Sequence, residues 1–172
     1  MVGRLLRGGV FQVLVSLLIL SLGLLGVAGL QSTSLHSNQS AYLHSQATVA
    51  ANDIIDRMRS NPEGVADGVY DDVDSEAALP ADPNCITSAS GCTAAQLADY
   101  DVREWVQTSL AVLPSATATV TLNNMGTAAD TTDDVFVVTV NWDDPMDAQN
   151  PNKTLVMNVQ LYGCVRNQDV CV

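Results

Sequence analysis

From Val13 to Leu30 the chain is apolar except for Ser16 and Ser21, and the run lies directly behind Arg4, Arg7 and the pair Gly8-Gly9. At about 1.5 Å rise per residue a helix over this run is roughly 27 Å long. A bilayer core is about 30 Å thick. Nothing later in the 172 residues resembles the run, so the remainder is expected to form one water-facing body carried on a single apolar helix. About 140 residues are left for that body, which suits one compact domain.

The two arginines orient such a helix with its amino terminus in the cytoplasm and the body outside. A plain signal anchor fits this arrangement. A secretory signal peptide is the competing reading, because Gly26-Val27-Ala28 supplies a small-x-small cleavage site, although the apolar run exceeds the roughly 7–15 residues usual for one.

Charge excludes one class of partner. Seven Lys and Arg against 19 Asp and Glu give a net charge of −12, a surface that repels phosphate backbones, so no nucleic acid is expected. No cation lies between Arg59 and Arg103, where Glu63, Asp67, Asp71, Asp72, Asp74, Glu76, Asp82, Asp99 and Asp101 all fall. A solvated acidic loop is the simplest reading of that stretch.

The four cysteines form two short-spaced pairs, Cys85 with Cys92 and Cys164 with Cys171. In a chain directed out of the cytoplasm, two disulfides are expected. Nearest-neighbour pairing is the simplest of the three connectivities. The CxxC spacing of structural zinc sites is absent and no histidine lies nearby, so no metal is expected there.

No proline precedes Pro62, so the helix is expected to continue past the membrane surface to about Ser60, with Asn61-Pro62 ending it. Leu35, Tyr42 and Val49 recur every seven residues, and Leu43, Ala50, Ile54, Ile55 and Met58 fill in. The pattern predicts one apolar stripe packed beneath a carboxyl-terminal sheet. Asp53 with Arg57 and Asp56 with Arg59 have the spacing of surface ion pairs worth a few tenths of a kcal/mol. Gly23, Gly26 and Gly29 weaken the helix by about 1 kcal/mol each and permit close helix approach in lipid.

Residues 61–92 hold turn formers and acids and read as an acidic loop stapled near its end. Thr93 and Gln96 then form a capping-box pattern. Leu97, Val102, Trp105, Val106, Ser109, Leu110 and Leu113 follow at helical spacing, predicting an amphipathic helix over 93–113 with Trp105 in the core. Beyond Pro114 the period becomes two. Ala116 to Leu122, Val135 to Trp142 and Thr154 to Tyr162 read as strands separated by turns at Asn123-Asn124-Met125-Gly126 and Asp143-Asp144-Pro145, an antiparallel meander within a sheet region spanning 115–172. Leu155, Met157, Val159 and Leu161 are the expected core face of the last strand.

Catalytic groups are scarce. His36 and His44 are the only histidines and sit eight apart on a helix, too distant along its axis to share an ion. The serines lack a nucleophile-elbow setting. Asp71, Asp72, Asp74 and Glu76, and likewise Asp143, Asp144 and Asp147, fail the EF-hand spacing. No enzyme activity, cofactor or metal is expected.

Four segments, in order, carry a resemblance: Arg7 to Gln31; Asn52-Asp53-Ile54-Ile55-Asp56-Arg57-Met58-Arg59-Ser60-Asn61-Pro62; Gly91-Cys92-Thr93-Ala94-Ala95-Gln96-Leu97-Ala98 with Asp101 and Trp105 beyond; and Val138-Thr139-Val140-Asn141-Trp142. Together they resemble type IV pilins, in detail the type IV pilus modification family of minor pilins (PilV). The resemblance implies an α+β pilin-like fold, a long helix over 9–60 with its transmembrane part at 13–30, packed on an antiparallel sheet of three or four strands with a second short helix. It implies a periplasmic head over 61–172, processing by a prepilin peptidase and residence in the inner membrane and in the type IV pilus fibre. Other minor pilins, the major pilin and a tip adhesin are the implied partners, and the implied role is to initiate or prime pilus assembly and support adhesion and twitching motility. A type II secretion pseudopilin is the nearest alternative; a signal-anchored periplasmic binding domain is one from another class.

The implied processing residues are Gly8, Gly9, Val10, Phe11 and Gln12. Such pilins usually place glycine before the cut and glutamate at the fifth mature position. Aligned on Val13-Leu14-Val15, that fifth position is Gln12 and the last leader residue is Arg7; a one-residue deletion instead makes residues 1–8 the leader and Gly9 the new terminus. Gln12 hydrogen-bonds but cannot neutralise a neighbouring terminal ammonium, which predicts a place where that pairing is dispensable, such as the fibre tip.

Overall fold

The computed structural model describes residues 2–87, 89, 91–123 and 135–161, with side chains from Val10 onward. Cys164 and Cys171, the end of the expected last strand at Tyr162, and Asn124-Met125-Gly126 of the expected turn lie outside the described residues. The arrangement is α+β and pilin-like: a long apolar amino-terminal helix, short helices and a four-stranded antiparallel sheet. The chain divides into two compact units, Met1–Ala41 and Tyr42–Val172.

Helix α1 spans Val2–Ser60, beginning ahead of the expected Gly9 and ending at the expected place. The first unit contains only part of this helix. Three of its hydroxyls bond within the helix, Ser16 donating to the Gln12 carbonyl, Ser21 to that of Leu18 and Thr33 to that of Gly29. Side chains from Val10 to Leu30 are exposed, so this surface offers a surrounding phase mainly hydrocarbon.

The second unit begins where α1 acquires a core. Leu43, Ala47, Ala50, Ala51, Ile54, Ile55 and Met58 are buried. The expected stripe is therefore corrected, because Leu35, Tyr42 and Val49 are 69%, 53% and 62% exposed. Adjacent helical residues lie about 100° apart, so Tyr42 and Val49 occupy the face beside Leu43 and Ala50. Three alanines on the buried face let neighbouring elements approach closely, a role that a ranking by hydrophobicity understates.

Residues 61–92 are more ordered than a loop. Helix α2, Pro62–Ala66, has Pro62 at its start and Asn61 as its cap, whose Oδ1 accepts from the Gly64 amide at 3.2 Å; proline suits that position because it lacks the N–H that would go unbonded. Strand β1, Asp72–Asp74, then pairs with a later strand through Val73 opposite Val120. Flanking acids hid this strand, since Val73 alone points inward.

Helix α3 spans Ala94–Glu104 and opens with a complete capping box. Gln96 donates its amide to Thr93 Oγ1 at 3.2 Å, and the Thr93 amide returns to Gln96 Oε1 at 3.0 Å. The expected single helix over 93–113 changes winding instead, passing into a π-turn at Trp105–Ser109 and a 3-10 turn at Leu110–Val112. Val102, Trp105, Leu110 and Leu113 all stay buried through these changes.

Strands β2 (Thr117–Asn123), β3 (Val135–Asp143) and β4 (Asn152–Val159) complete an antiparallel sheet in the order β1-β2-β3-β4. Val138 lies between Val120 and Met157, and Val140 between Ala118 and Leu155. Phe136, Val138, Val140 and Trp142 alternate inward and join the α1 residues in one core, the period-two burial of a one-sided sheet. Leu155 and Met157 of the edge strand pack against that core while remaining half-buried.

Candidate functional site

Two features qualify, one in each unit. In the first unit, Gly8 and Gly9 lie within helical backbone, and Val10, Phe11 and Gln12 are exposed on the same helix. From Val10 onward α1 is long and apolar enough to cross a membrane. Its exposed surface suits lipid or the flanks of similar helices.

In the second unit, a polar clasp ties α1 to α3. Arg57 donates from Nε to Asp53 at 3.1 Å and from Nη1 to Asp101 at 3.3 Å. The buried Asp101 also accepts from the Tyr70 hydroxyl at 2.8 Å. Asn61 Nδ2 donates to the Tyr70 oxygen at 3.1 Å and to the Ala94 carbonyl at 2.8 Å, and Ser109 Oγ donates to Asp53 Oδ2 at 2.5 Å. The expectation of a simple surface pair is therefore corrected for Asp53 and Arg57, which form part of a half-buried network. Asp56 with Arg59 remains an exposed pair at 2.8 Å, of the kind worth little.

Burial pushes the Tyr70 phenol well above its ordinary range, and the Asp101 carboxylate, which accepts its proton, reinforces the shift against the opposing Asn61 bond. Tyr70 thus stays neutral and donating, beside an Arg57 guanidinium whose pKa, against the lowering effect of burial, its two carboxylate partners raise. Gly64 is part of the same geometry. A Cβ there would stand 2.5 Å from Asn61 Nδ2 and 2.9 Å from its Cγ, so glycine leaves the space that the Asn61 amide fills.

Cys85 and Cys92 are disulfide-bonded. Cys92 immediately precedes the Thr93 cap, so the bond fixes the approach to α3. His44 is exposed and sets its ring edge-on to Trp142 at 6.0 Å between centroids. Among the described residues no group of three or more His, Cys, Asp or Glu side chains could hold a metal ion. Sequence reasoning missed Tyr70, Asn61 and Gly64 as members of one network, because their partners lie up to 33 residues away and no local period joins them.

Residues 29–103 match the model of a family described as Tt1218-like, Type IV pilin Tt1218. The match supports a type IV pilin family. It runs from the apolar part of α1 through the clasp residues on α1, α2 and α3, covering somewhat under half of the chain. No curated protein and no solved structure matches the chain. A type IV pilin family is one of structural subunits that associate with other pilins in a pilus, and both membrane anchoring and residence in a fibre are consistent with the apolar α1 surface.

Proposed function

We infer that the protein is a minor pilin, of the type IV pilus modification (PilV) kind, that helps initiate type IV pilus assembly at the inner membrane and then enters the fibre. The observation that carries this reading is one continuous helix with two kinds of surface. Its first part exposes hydrocarbon from Val10 to Leu30, and its last part, Leu43 to Met58, is built into the core of an α+β head. Such a subunit rests in lipid through its helix, and it leaves when neighbouring apolar helices replace that lipid. The head lies in the periplasm and supplies the contacts to other minor pilins, the major pilin and a tip adhesin, supporting adhesion and twitching motility.

In this reading a prepilin peptidase removes residues 1–8, and the new terminus at Gly9 is methylated. Gln12, replacing the usual glutamate, favours a subunit at the tip, where no preceding subunit waits to pair with a carboxylate. The mass and terminal sequence of the protein from membranes and from sheared surface fibres test the proposal. A methylated terminus at Gly9 and recovery in fibres are expected. An uncleaved terminus confined to membranes overturns it, and even labelling along the whole shaft, unaltered in Gln12→Glu, overturns the tip assignment.

A further inference from the structure

We propose that the head holds one buried water molecule at the end of β3, bridging the Trp142 indole to the Asp144 carboxylate. Both side chains are buried, and Asp144 is fully so. Trp142 Nε1 and Asp144 Oδ2 have no hydrogen-bond partner among the described residues. Every other polar group of Asp144 is engaged: Oδ1 accepts from the Met146 amide at 3.0 Å, its own amide donates to the Pro151 carbonyl at 2.7 Å, and its carbonyl accepts from Asp147 at 3.2 Å. One acceptor is thus left over on Asp144, and one donor on the strand leading into it.

The chemistry of the pair selects the ligand. An indole N–H only donates and an ionised carboxylate only accepts. A cation would meet Oδ2 but repel the N–H, and an anion would meet the N–H but repel the carboxylate. The group that serves both must accept once and donate once, and water is the smallest that does so. Asp144 follows Asp143, the last residue of β3, and continues the alternate burial two residues past Trp142, which places both side chains on the buried side of the strand's end. A water making two bonds of normal length bridges atoms about 5 Å apart. Buried waters usually serve otherwise unsatisfied groups of this kind. The site adjoins the exposed His44, whose ring meets Trp142 edge-on.

The chain's other tryptophan supplies an internal control. Trp105 Nε1 already donates to the Ala50 carbonyl and is assigned no water. The experiment measures water-selective rotating-frame Overhauser transfer to the two indole N–H protons in the full chain, in detergent micelles. A cross-peak to long-lived water is expected at Trp142 and absent at Trp105. Asp144→Asn, which keeps an acceptor for Met146 but turns an N–H in place of the acceptor toward the water, should weaken it. Asp144→Ala should lose it, with amide shifts confined to Met146 and the neighbouring turn; should that variant fail to fold, the native chain and Asp144→Asn decide the matter. No water transfer to Trp142 in the native chain overturns the proposal, as does a direct Trp142 to Asp144 hydrogen bond.

Discussion

The indole nitrogen of Trp105 donates a 2.8 Å hydrogen bond to the backbone carbonyl of Ala50, joining the first π-turn residue to the buried face of α1. An uninterrupted α-helical turn would aim residue 109 differently. The wider winding at Trp105–Ser109 accompanies two simultaneous attachments to α1, Trp105 to Ala50 and Ser109 to Asp53. Wider turns of this sort occur often where side chains are placed for a purpose.

Trp105→Phe keeps most of the ring and removes the donor, so it should cost about 1–2 kcal/mol, chiefly the hydrogen bond and some packing. Trp105→Ala should cost about 3–5 kcal/mol. Urea unfolding of the full chain in detergent checks both, as a lower midpoint at unchanged slope.

Gly64→Ala should destabilise the head by about 2–3 kcal/mol, far more than an exposed glycine replacement. The added methyl group would displace Asn61, and buried partners on Tyr70 and Ala94 would lose their bonds. Adding Asn61→Ala should cost little more, because the two changes damage one network. A double-mutant cycle by urea unfolding measures the coupling.

Tyr70 predicts alkaline behaviour. Its folded pKa is raised above the unfolded value, chiefly by burial, so its contribution is fully present below about pH 10 and is lost as pH rises beyond. Stability should therefore fall above about pH 10, less steeply in Tyr70→Phe, although that variant starts about 1–3 kcal/mol lower by leaving Asp101 and Asn61 short of a partner. Unfolding curves between pH 8 and pH 11 check the slope.

Reduction of the Cys85–Cys92 bond, or paired replacement by serine, should lower stability by about 2.5 kcal/mol, the chain-entropy value for so short a loop. Hydrogen exchange should rise first at the start of α3, because Cys92 adjoins its cap.

Long, strongly patterned elements were legible in advance. The helix end at Ser60, the capping box, the alternation from Thr117 onward and the inward set of β4 all rest on local chemistry: proline geometry, a side chain within reach of its own backbone, and a period of two. The α+β class followed from them. Elements defined by distant partners were not legible. Val73 became a strand residue because Val120 stands opposite, and Trp105 left regular α-helical winding where its indole meets Ala50.

The residues alone determined that α1 runs on to Ser60 and exposes hydrocarbon near its amino terminus, because length, hydropathy and the first proline are one-dimensional quantities. Only the tertiary structure decided which of two adjacent stripes on α1 is buried. Leu43, Ala50 and Ile54 repeat much as Tyr42 and Val49 do, and a helical period carries no absolute phase until the sheet and α3 supply a surface. It also decided that Arg57 belongs to Asp101 and Tyr70 as well as to Asp53, because an ion pair at helical spacing records its nearest neighbours and is silent about what packs across from them.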